Sequence, residues 1–141
     1  MQNGSKIDVI ADTNVYFMSL WNPIGKAAKL IISATDEKVY LFSPDTVKEE
    51  LIRLLKRKGF SEHEIEDIIP HLPVTWIDKP IYEKFMKASA LIKHKPDRPI
   101  LAAALVVGCG IISANRKHFL PARKLVKIWK IDELLEKIQS E

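Results

Sequence analysis

Short hydrophobic blocks alternate with polar segments along the chain, and the spacing within them switches between strand-like and helix-like patterns. Ile7 to Ala11 is apolar except at Asp8 and rich in β-branched residues, which predicts a strand covered on both faces. Comparable runs predict four further strands, at Val39 to Phe42, Val74 to Ile77, Ile111 to Ser113 and Leu125 to Trp129.

Helix patterns and helix-start signals fill the intervals between these strands. They predict helices at Asn14 to Trp21, Lys26 to Ala34, Pro44 to about Lys58, Ser61 to about Ile69, Pro80 to about Ile92, Asp97 to Val107 and Ile131 to Ile138. Ser43 is the predicted N-cap of the third helix, with Pro44 at its first position. Ser61 and Glu64 form a capping-box pattern. Asp97 is the predicted cap of an internal helix that is apolar on all sides.

This alternation predicts an α/β fold, a three-layer α/β/α sandwich around a central, mostly parallel sheet of about five strands. The length of 141 residues fits one domain covering residues 1–141. In such sheets, ligands bind beyond the carboxyl ends of the strands. Residues that directly follow strands are therefore the first candidates for chemistry.

Composition narrows the possible classes of protein. Hydrophobic residues make up 47% of the chain, but no run approaches the length of a membrane span and no leader-like segment precedes the first strand, so we expect a soluble cytoplasmic protein with no membrane partner. Cys109 is the single cysteine, which excludes an internal disulfide and a cysteine-based zinc cluster.

The net charge is +4, from 22 basic and 18 acidic residues, which favours a polyanionic partner only mildly. The positions of the basic residues are more informative, because they form three groups. These are Lys56 to Lys58, then Lys93, His94, Lys95 and Arg98, then Arg116, Lys117, His118, Arg123 and Lys124. Two of the groups flank acidic candidates, as a phosphate-backbone substrate requires.

Four oxygen-bearing residues are candidate ligands for a hard divalent cation. Asp12 and Asn115 follow predicted strands, Asp97 opens a helix, and Glu50 borders the buried stripe of its helix while Glu49 points away from it. Carboxylates gathered at one sheet edge suit Mg²⁺ or Mn²⁺ and suggest phosphodiester chemistry. Each also has a structural interpretation: Asp12 and Asp97 as helix caps, Glu50 as a solvated carboxylate, and Asn115 as a turn residue.

The histidines do not show metal-ligand spacing. His63, His71 and His94 have no partner four residues away on a common helix, which predicts surface roles. His118 follows two basic residues and could touch a substrate, although a solvated loop is the simpler interpretation.

The ordered set of motifs resembles the PIN-domain family of small metal-dependent ribonucleases, which includes toxins of toxin–antitoxin pairs. The resemblance spans nearly the whole chain and rests on Asp12-Thr13-Asn14 after an apolar strand, Glu50-Leu51 in a helix led by Ser-Pro, Asp97 with Ile100, Ala102 and Ala103 before Gly108, and Ser113-Ala114-Asn115-Arg116-Lys117-His118-Phe119. It implies that Asp12, Glu50 and Asp97 are catalytic and hold Mg²⁺ or Mn²⁺. The family often has a fourth acidic residue where this chain has Asn115, so a second tightly held metal is less expected.

The resemblance implies an endoribonuclease that hydrolyses RNA, with an antitoxin protein as a partner. Substrate contacts are expected from Asn14, Lys95, Arg98, Ser113, Arg116 and Lys117. Phe17, Met18 and Trp21 suggest a homodimer face. A non-catalytic PIN-like module that binds RNA or a protein is the alternative, favoured by Asn115. An aspartyl-phosphate enzyme is disfavoured because Asn14 stands where a second Asp would be needed, and no nucleotide-binding glycine loop is present.

Overall fold

The computed structural model describes residues 6–140 and contains a five-stranded, wholly parallel sheet in the order β3-β2-β1-β4-β5. The strands are β1 (Ile7–Ala11), β2 (Val39–Pro44), β3 (Val74–Ile77), β4 (Gly110–Ile112) and β5 (Ile128–Trp129). Helices connect and cover them: α1 (Thr13–Trp21), α2 (Lys26–Thr35), α3 (Asp45–Arg57), α4 (Glu62–His71), α5 (Lys79–Tyr82), α6 (Arg98–Val107), α7 (Arg116–Phe119) and α8 (Ile131–Gln139). The predicted three-layer α/β/α fold is confirmed.

The register of the sheet decides which residues meet at its edge. β1 is the central strand, and Ala11 lies opposite Ile112 of β4. The next residues of the two strands, Asp12 and Ser113, are therefore neighbours beyond the carboxyl ends. The chain continues from β1 to β2 on one side of β1, whereas β4 lies on the other side. This is the switch point where open α/β sheets bind ligands.

The hydrophobic core surrounds β1 and α6. Val9, Ile10 and Ala11 of β1 are completely buried, and six consecutive residues of α6, from Pro99 to Ala104, are buried as well. A helix that is apolar on all sides must lie inside the protein, which confirms the prediction for this segment. Gly108 ends α6 in the left-handed conformation, with φ at 75°, which favours glycine.

The start of α3 differs from the prediction. Ser43 is not the N-cap, because β2 continues through Pro44, which itself occupies the cap position, and α3 begins at Asp45. Ser43 is completely buried, and its hydroxyl is used for contacts with β1 and α1. Hydrogen-bond partners in the core therefore override the local start signal.

The predicted helix from Pro80 to Ile92 was also wrong over most of its length. Only α5 is helical there, followed by short 3₁₀ turns at Glu83–Phe85 and Ala88–Leu91. Asp45 of α3 accepts hydrogen bonds from the Lys79 amide at 3.2 Å and the Tyr82 hydroxyl at 2.6 Å, and so anchors this segment from outside. Tertiary contacts thus determine its path more than helix propensity does.

Further differences occur after β4. The predicted strand from Leu125 to Trp129 is reduced to Ile128–Trp129, because the amides of Leu125 and Val126 both donate to the Ala122 carbonyl in a turn. The segment predicted as a loop at Arg116 to His118 forms α7. None of the helices within residues 6–140 is long and apolar enough to cross a membrane.

A buried hydrogen-bond relay fixes the end of β1. The Ser43 hydroxyl donates to the Ala11 carbonyl at 2.6 Å, so its oxygen accepts from the Tyr16 hydroxyl, also at 2.6 Å. Burial raises the pKa of Tyr16 well above its ordinary value, so the phenol remains a donor at neutral pH. The relay connects β2, α1 and the residue that directly precedes Asp12.

We expect Ser43→Ala to destabilise the protein more than Tyr16→Phe. Removing the serine hydroxyl leaves the buried Tyr16 hydroxyl without its partner, which costs about 1–3 kcal/mol in the free energy of unfolding. Removing the tyrosine hydroxyl leaves Ser43 bonded to Ala11 and costs about 0.5–1.5 kcal/mol. Urea denaturation of the two variants measures the difference, and the reverse order would contradict the direction of the relay.

Candidate metal centre

Asp12 lies at the centre of the site because its position follows directly from the central strand. It caps α1, with its Oδ1 accepting a hydrogen bond from the Val15 amide at 3.3 Å, while its Oδ2 accepts one from the Ser113 hydroxyl. Only 7% of the residue is exposed. The cap interpretation of the sequence is therefore correct, yet each oxygen accepts one bond from the protein and retains capacity for another partner.

The environment of Asp12 disfavours its negative charge. Burial raises the pKa of the carboxyl from 3.8 to about 6, against the lowering effects of the hydrogen bonds from Ser113 and Val15. The charges of Asp97 and Glu50 raise it further. Both carboxylates therefore lie close enough to Asp12 for their charges to act on it, although the ligand atoms of the three residues do not all lie within 4.8 Å of one another. We call Asp12, Glu50 and Asp97 the carboxylate site.

Glu50 reaches the carboxylate site from α3. The buried Thr13 hydroxyl donates a hydrogen bond to the Glu50 carboxylate, although Glu50 as a residue is exposed. The bond connects the first residue of α1 to the middle of α3, and these helices pack against each other. Glu50 thus borders the core, as its helical position predicts, and Thr13 orients its carboxylate.

Asp97 differs from the prediction in its local role. It precedes α6, but its side chain makes no capping hydrogen bond and its backbone is helical, within a 3₁₀ turn at Lys95–Asp97. Its Oδ2 instead accepts hydrogen bonds from Nδ1 of His94 at 3.0 Å and Nδ1 of His118 at 2.8 Å. No residue within 6–140 donates a hydrogen bond to the side-chain Oδ1 of Asp97 in this structure.

Ser113 and Asn115 take different positions relative to Asp12. Ser113 is buried, and its hydroxyl donates to Asp12 while accepting from the Asn115 amide at 2.9 Å. It therefore supports a predicted metal ligand rather than facing solvent. Asn115 is exposed and makes no side-chain capping bond to α7. The side-chain amide of Asn115 remains a candidate ligand. The hydrogen bond between the Asn115 backbone amide and Ser113 holds this residue in place.

Of the predicted basic substrate contacts, the two arginines donate hydrogen bonds to backbone carbonyls and the two lysines are exposed. Arg98 donates to the carbonyls of Ile92 at 2.8 Å and Ala90 at 3.4 Å, so it braces its own loop. Arg116 donates to the Ile128 carbonyl at 3.1 Å, while Lys95 and Lys117 are exposed. A neighbouring open cavity brings together five of the predicted site residues: Asn14, Ser113, Asn115, Arg116 and Lys117.

The donor set fits a hard divalent cation. The charges of Asp97 and Glu50 raise the pKa of Asp12, so the three carboxylates repel one another when they are ionised. A divalent cation among the carboxylates replaces this repulsion with attraction, and oxygen atoms are the ligands that Mg²⁺ and Mn²⁺ prefer. The side-chain chemistry of the site is therefore consistent with either ion.

Sequence reasoning missed three contributors to this site. Thr13 was seen only as part of a motif, and His94 and His118 were assigned to the surface or to a loop. His94 lies in the loop before α6 and His118 lies in α7, so no helical spacing connects them. The nearest signal was their place in two basic groups that flank Asp97 and Asn115.

A comparison of the chain with models of known protein families finds a match. The family model described as the PIN domain matches residues 10–139, nearly the whole chain. No curated protein matches the chain significantly.

We expect Asp12→Asn to stabilise the metal-free protein at neutral pH. The unfolded carboxyl loses its proton near pH 3.8 and the folded one near pH 6, so wild-type stability falls as pH rises through this window. Above it, the variant should gain about 1–3 kcal/mol in the free energy of unfolding. Below about pH 4 both proteins carry a neutral group and the gain should vanish.

Chemical denaturation at pH 3.5 and pH 7.5, with a chelator present, measures this difference. Asp8→Asn serves as the matched control because Asp8 is an exposed carboxylate on the same strand. Asparagine has only one acceptor oxygen for Val15 and Ser113, a loss that does not depend on pH, so the change in relative stability between the two pH values is decisive. A difference that does not shift in favour of Asp12→Asn between pH 3.5 and pH 7.5 would contradict the unfavourable burial of this charge.

Proposed function

Because the chain belongs to the PIN-domain family, whose members are generally nucleases, we propose that it is a metal-dependent endoribonuclease that hydrolyses RNA phosphodiester bonds. The observation that carries this proposal is the position of Asp12, a buried carboxylate beyond the end of the central strand that Ser113 and the Val15 amide hold in place. Asp12 lies beyond the end of the central strand, where such folds place ligands, and the charges of Asp97 and Glu50 act on it.

Asp12, Glu50 and Asp97 would hold Mg²⁺ or Mn²⁺, with Asn115 as an additional oxygen donor. When bound, such a cation neutralises phosphate charge and makes a water more acidic. Ser113 and the Val15 amide fix both oxygens of Asp12, and Thr13 fixes Glu50. These bonds hold the carboxylates in place before the substrate arrives, which avoids reorganisation during the reaction.

Exposed basic side chains beside the carboxylate site would hold the RNA backbone. Lys95 and Lys117 are exposed on the segments that carry Asp97 and Asn115. A second open cavity continues this basic surface and is lined by Arg116, Arg123, Lys124, Lys127 and Lys130, among other residues. Phosphate contacts of this kind supply affinity without reading the base sequence.

We further propose that this activity is that of a cytoplasmic toxin restrained by an antitoxin protein. Large hydrophobic side chains are exposed on α1, on α2 and between them: Met18 at 43%, Trp21 at 57%, Ile24 at 87% and Ile32 at 57%. Apolar residues close together on a surface favour a protein partner. The same surface would serve an antitoxin or a second copy of the chain.

A non-catalytic PIN-like module that binds RNA or a protein is the second candidate. The observation that favours it is the neutral Asn115 at a position where the resemblance leads one to expect an acid. RNA cleavage that is lost on chelation supports the enzyme, whereas RNA binding without cleavage supports the module.

We expect Mg²⁺ to raise the melting temperature of the wild-type protein at pH 7.5. Binding to the folded state at about 100 times the dissociation constant adds about 2.7 kcal/mol to the free energy of unfolding. For a chain of this size that corresponds to several degrees. Differential scanning fluorimetry with a chelator control measures the shift, which should shrink in Asp12→Asn. An absent shift at millimolar Mg²⁺ would argue against the carboxylate site.

We expect Glu50→Gln to reduce the rate of Mg²⁺-dependent RNA cleavage by 100-fold or more, on the order of the loss of a group that stabilises transition-state charge. Glu49→Gln is the matched control, because Glu49 is the adjacent exposed glutamate and does not contact Thr13. A gel-based assay with a labelled single-stranded RNA compares both variants with wild type. Equal cleavage by all three would remove Glu50 from the mechanism.

A further inference from the structure

Two histidine rings and one carboxylate converge beside the carboxylate site. Nδ1 of His94 and Nδ1 of His118 both approach Oδ2 of Asp97, and the three candidate ligand atoms all lie within 4.8 Å of one another. The ring centroids are 5.0 Å apart with an interplanar angle of 36°. We refer to these residues as the His94–Asp97–His118 cluster.

We propose that the His94–Asp97–His118 cluster binds a divalent transition-metal ion of the Zn²⁺ class. Imidazole nitrogen suits Zn²⁺, Ni²⁺ and related ions, whereas Mg²⁺ prefers oxygen ligands. Two nitrogen donors and one oxygen donor therefore select a different ion from the one expected at the carboxylate site. The proposal goes beyond RNA cleavage and does not depend on it.

Two of the three ligand separations in the cluster are close to those around a bound ion. Zn²⁺ bonds of about 2.0–2.1 Å in a tetrahedral arrangement separate neighbouring ligand atoms by about 3.3 Å. The two Nδ1–Oδ2 distances are 3.0 and 2.8 Å, so these two pairs need to open by only a few tenths of an ångström, and each ring then carries its proton on Nε2 so that Nδ1 can bind the ion. Three protein ligands leave a position for water or a phosphate oxygen.

The two histidine side chains of the cluster are accessible to solvent, and the segments that carry them are held by neighbouring contacts. The side chains of His94 and His118 are 55% and 40% exposed, so an ion can enter and the rings can adjust, while Asp97 is only 17% exposed. Arg98 braces the loop that carries His94 through the carbonyls of Ile92 and Ala90. On the other side, Phe119 of α7 is completely buried and anchors the neighbouring His118.

The other soft ligands of the chain do not compete with the cluster. Burial raises the pKa of Cys109 to about 12, so its sulfur remains a neutral thiol, which is a poor ligand. His63 and His71 belong to α4, and the His94–Asp97–His118 group is the cluster of this kind found within residues 6–140. A bound transition metal should therefore report on one place.

Asp97 connects the cluster to the carboxylate site. Its Oδ2 faces the two histidines, while its Oδ1 receives no hydrogen bond from residues 6–140 and is available to the carboxylate site. Occupation of the cluster and Mg²⁺ binding are therefore linked through one carboxylate, and each ion must change the affinity of the other by the same factor.

The test is a calorimetric titration of the full chain with Zn²⁺ in the presence of millimolar Mg²⁺, repeated with Co²⁺ and read by its visible absorption. We expect one Zn²⁺ per chain and a Co²⁺ spectrum typical of nitrogen and oxygen ligands. His94→Ala and His118→Ala should each weaken Zn²⁺ binding by at least about tenfold. Loss of a residue that only supports a metal ligand already costs about this much, so loss of a ligand itself should cost no less.

Two controls make the outcome specific. His63→Ala, which removes an exposed histidine from α4, should leave Zn²⁺ affinity unchanged. Asp12→Asn should retain the Zn²⁺ site although it weakens the Mg²⁺ response. Absent Zn²⁺ binding, or binding that both cluster variants leave intact, would overturn the proposal without affecting the nuclease.

Discussion

The burial of one carboxylate at the end of the central strand is the constraint on which the rest of this structure depends. Asp12 follows β1, which the core covers on both faces, and so it cannot be solvated as a surface aspartate is. The protein compensates with hydrogen bonds from Ser113 and Val15, but these do not offset the desolvation. The remaining imbalance favours a bound cation.

Several elements of the fold serve this arrangement. The Tyr16–Ser43–Ala11 relay fixes the backbone just before Asp12, and the pairing of β1 with β4 brings Ser113 beside it. Thr13 joins the same turn to α3. Strands and helices that are distant in sequence are thus held together by polar contacts at the carboxyl edge and by apolar packing behind it.

The sequence predicts the parts of the fold that depend on hydrophobic pattern. β1 and α6 were predicted because their apolar runs have one packing solution, inside the protein. The predictions of a helix from Pro80 to Ile92 and of a strand from Leu125 were wrong. Hydrogen bonds to Asp45 determine the conformation of the first segment, and hydrogen bonds within a turn determine that of the second. Leu125 is 55% exposed, so its apolar character did not indicate a core strand.

The candidate site divides in the same way. The positions of Asp12 and Glu50 follow from strand ends and helix periodicity, whereas the histidine partners of Asp97 depend on how the loop before α6 packs against α7. No spacing rule could find that contact, and local rules gave Asp97 a capping bond that it does not make. Positions set by strand ends and helix periodicity can be predicted from sequence, whereas contacts between separate segments depend on the tertiary structure.

The sheet ends on both sides in very short strands, with four residues in β3 and two in β5. Such short edge strands expose few unpaired backbone amides and carbonyls, so a strand of another chain has few groups to pair with. Self-association by strand addition is thereby discouraged, and any second protein must approach through helices or loops instead.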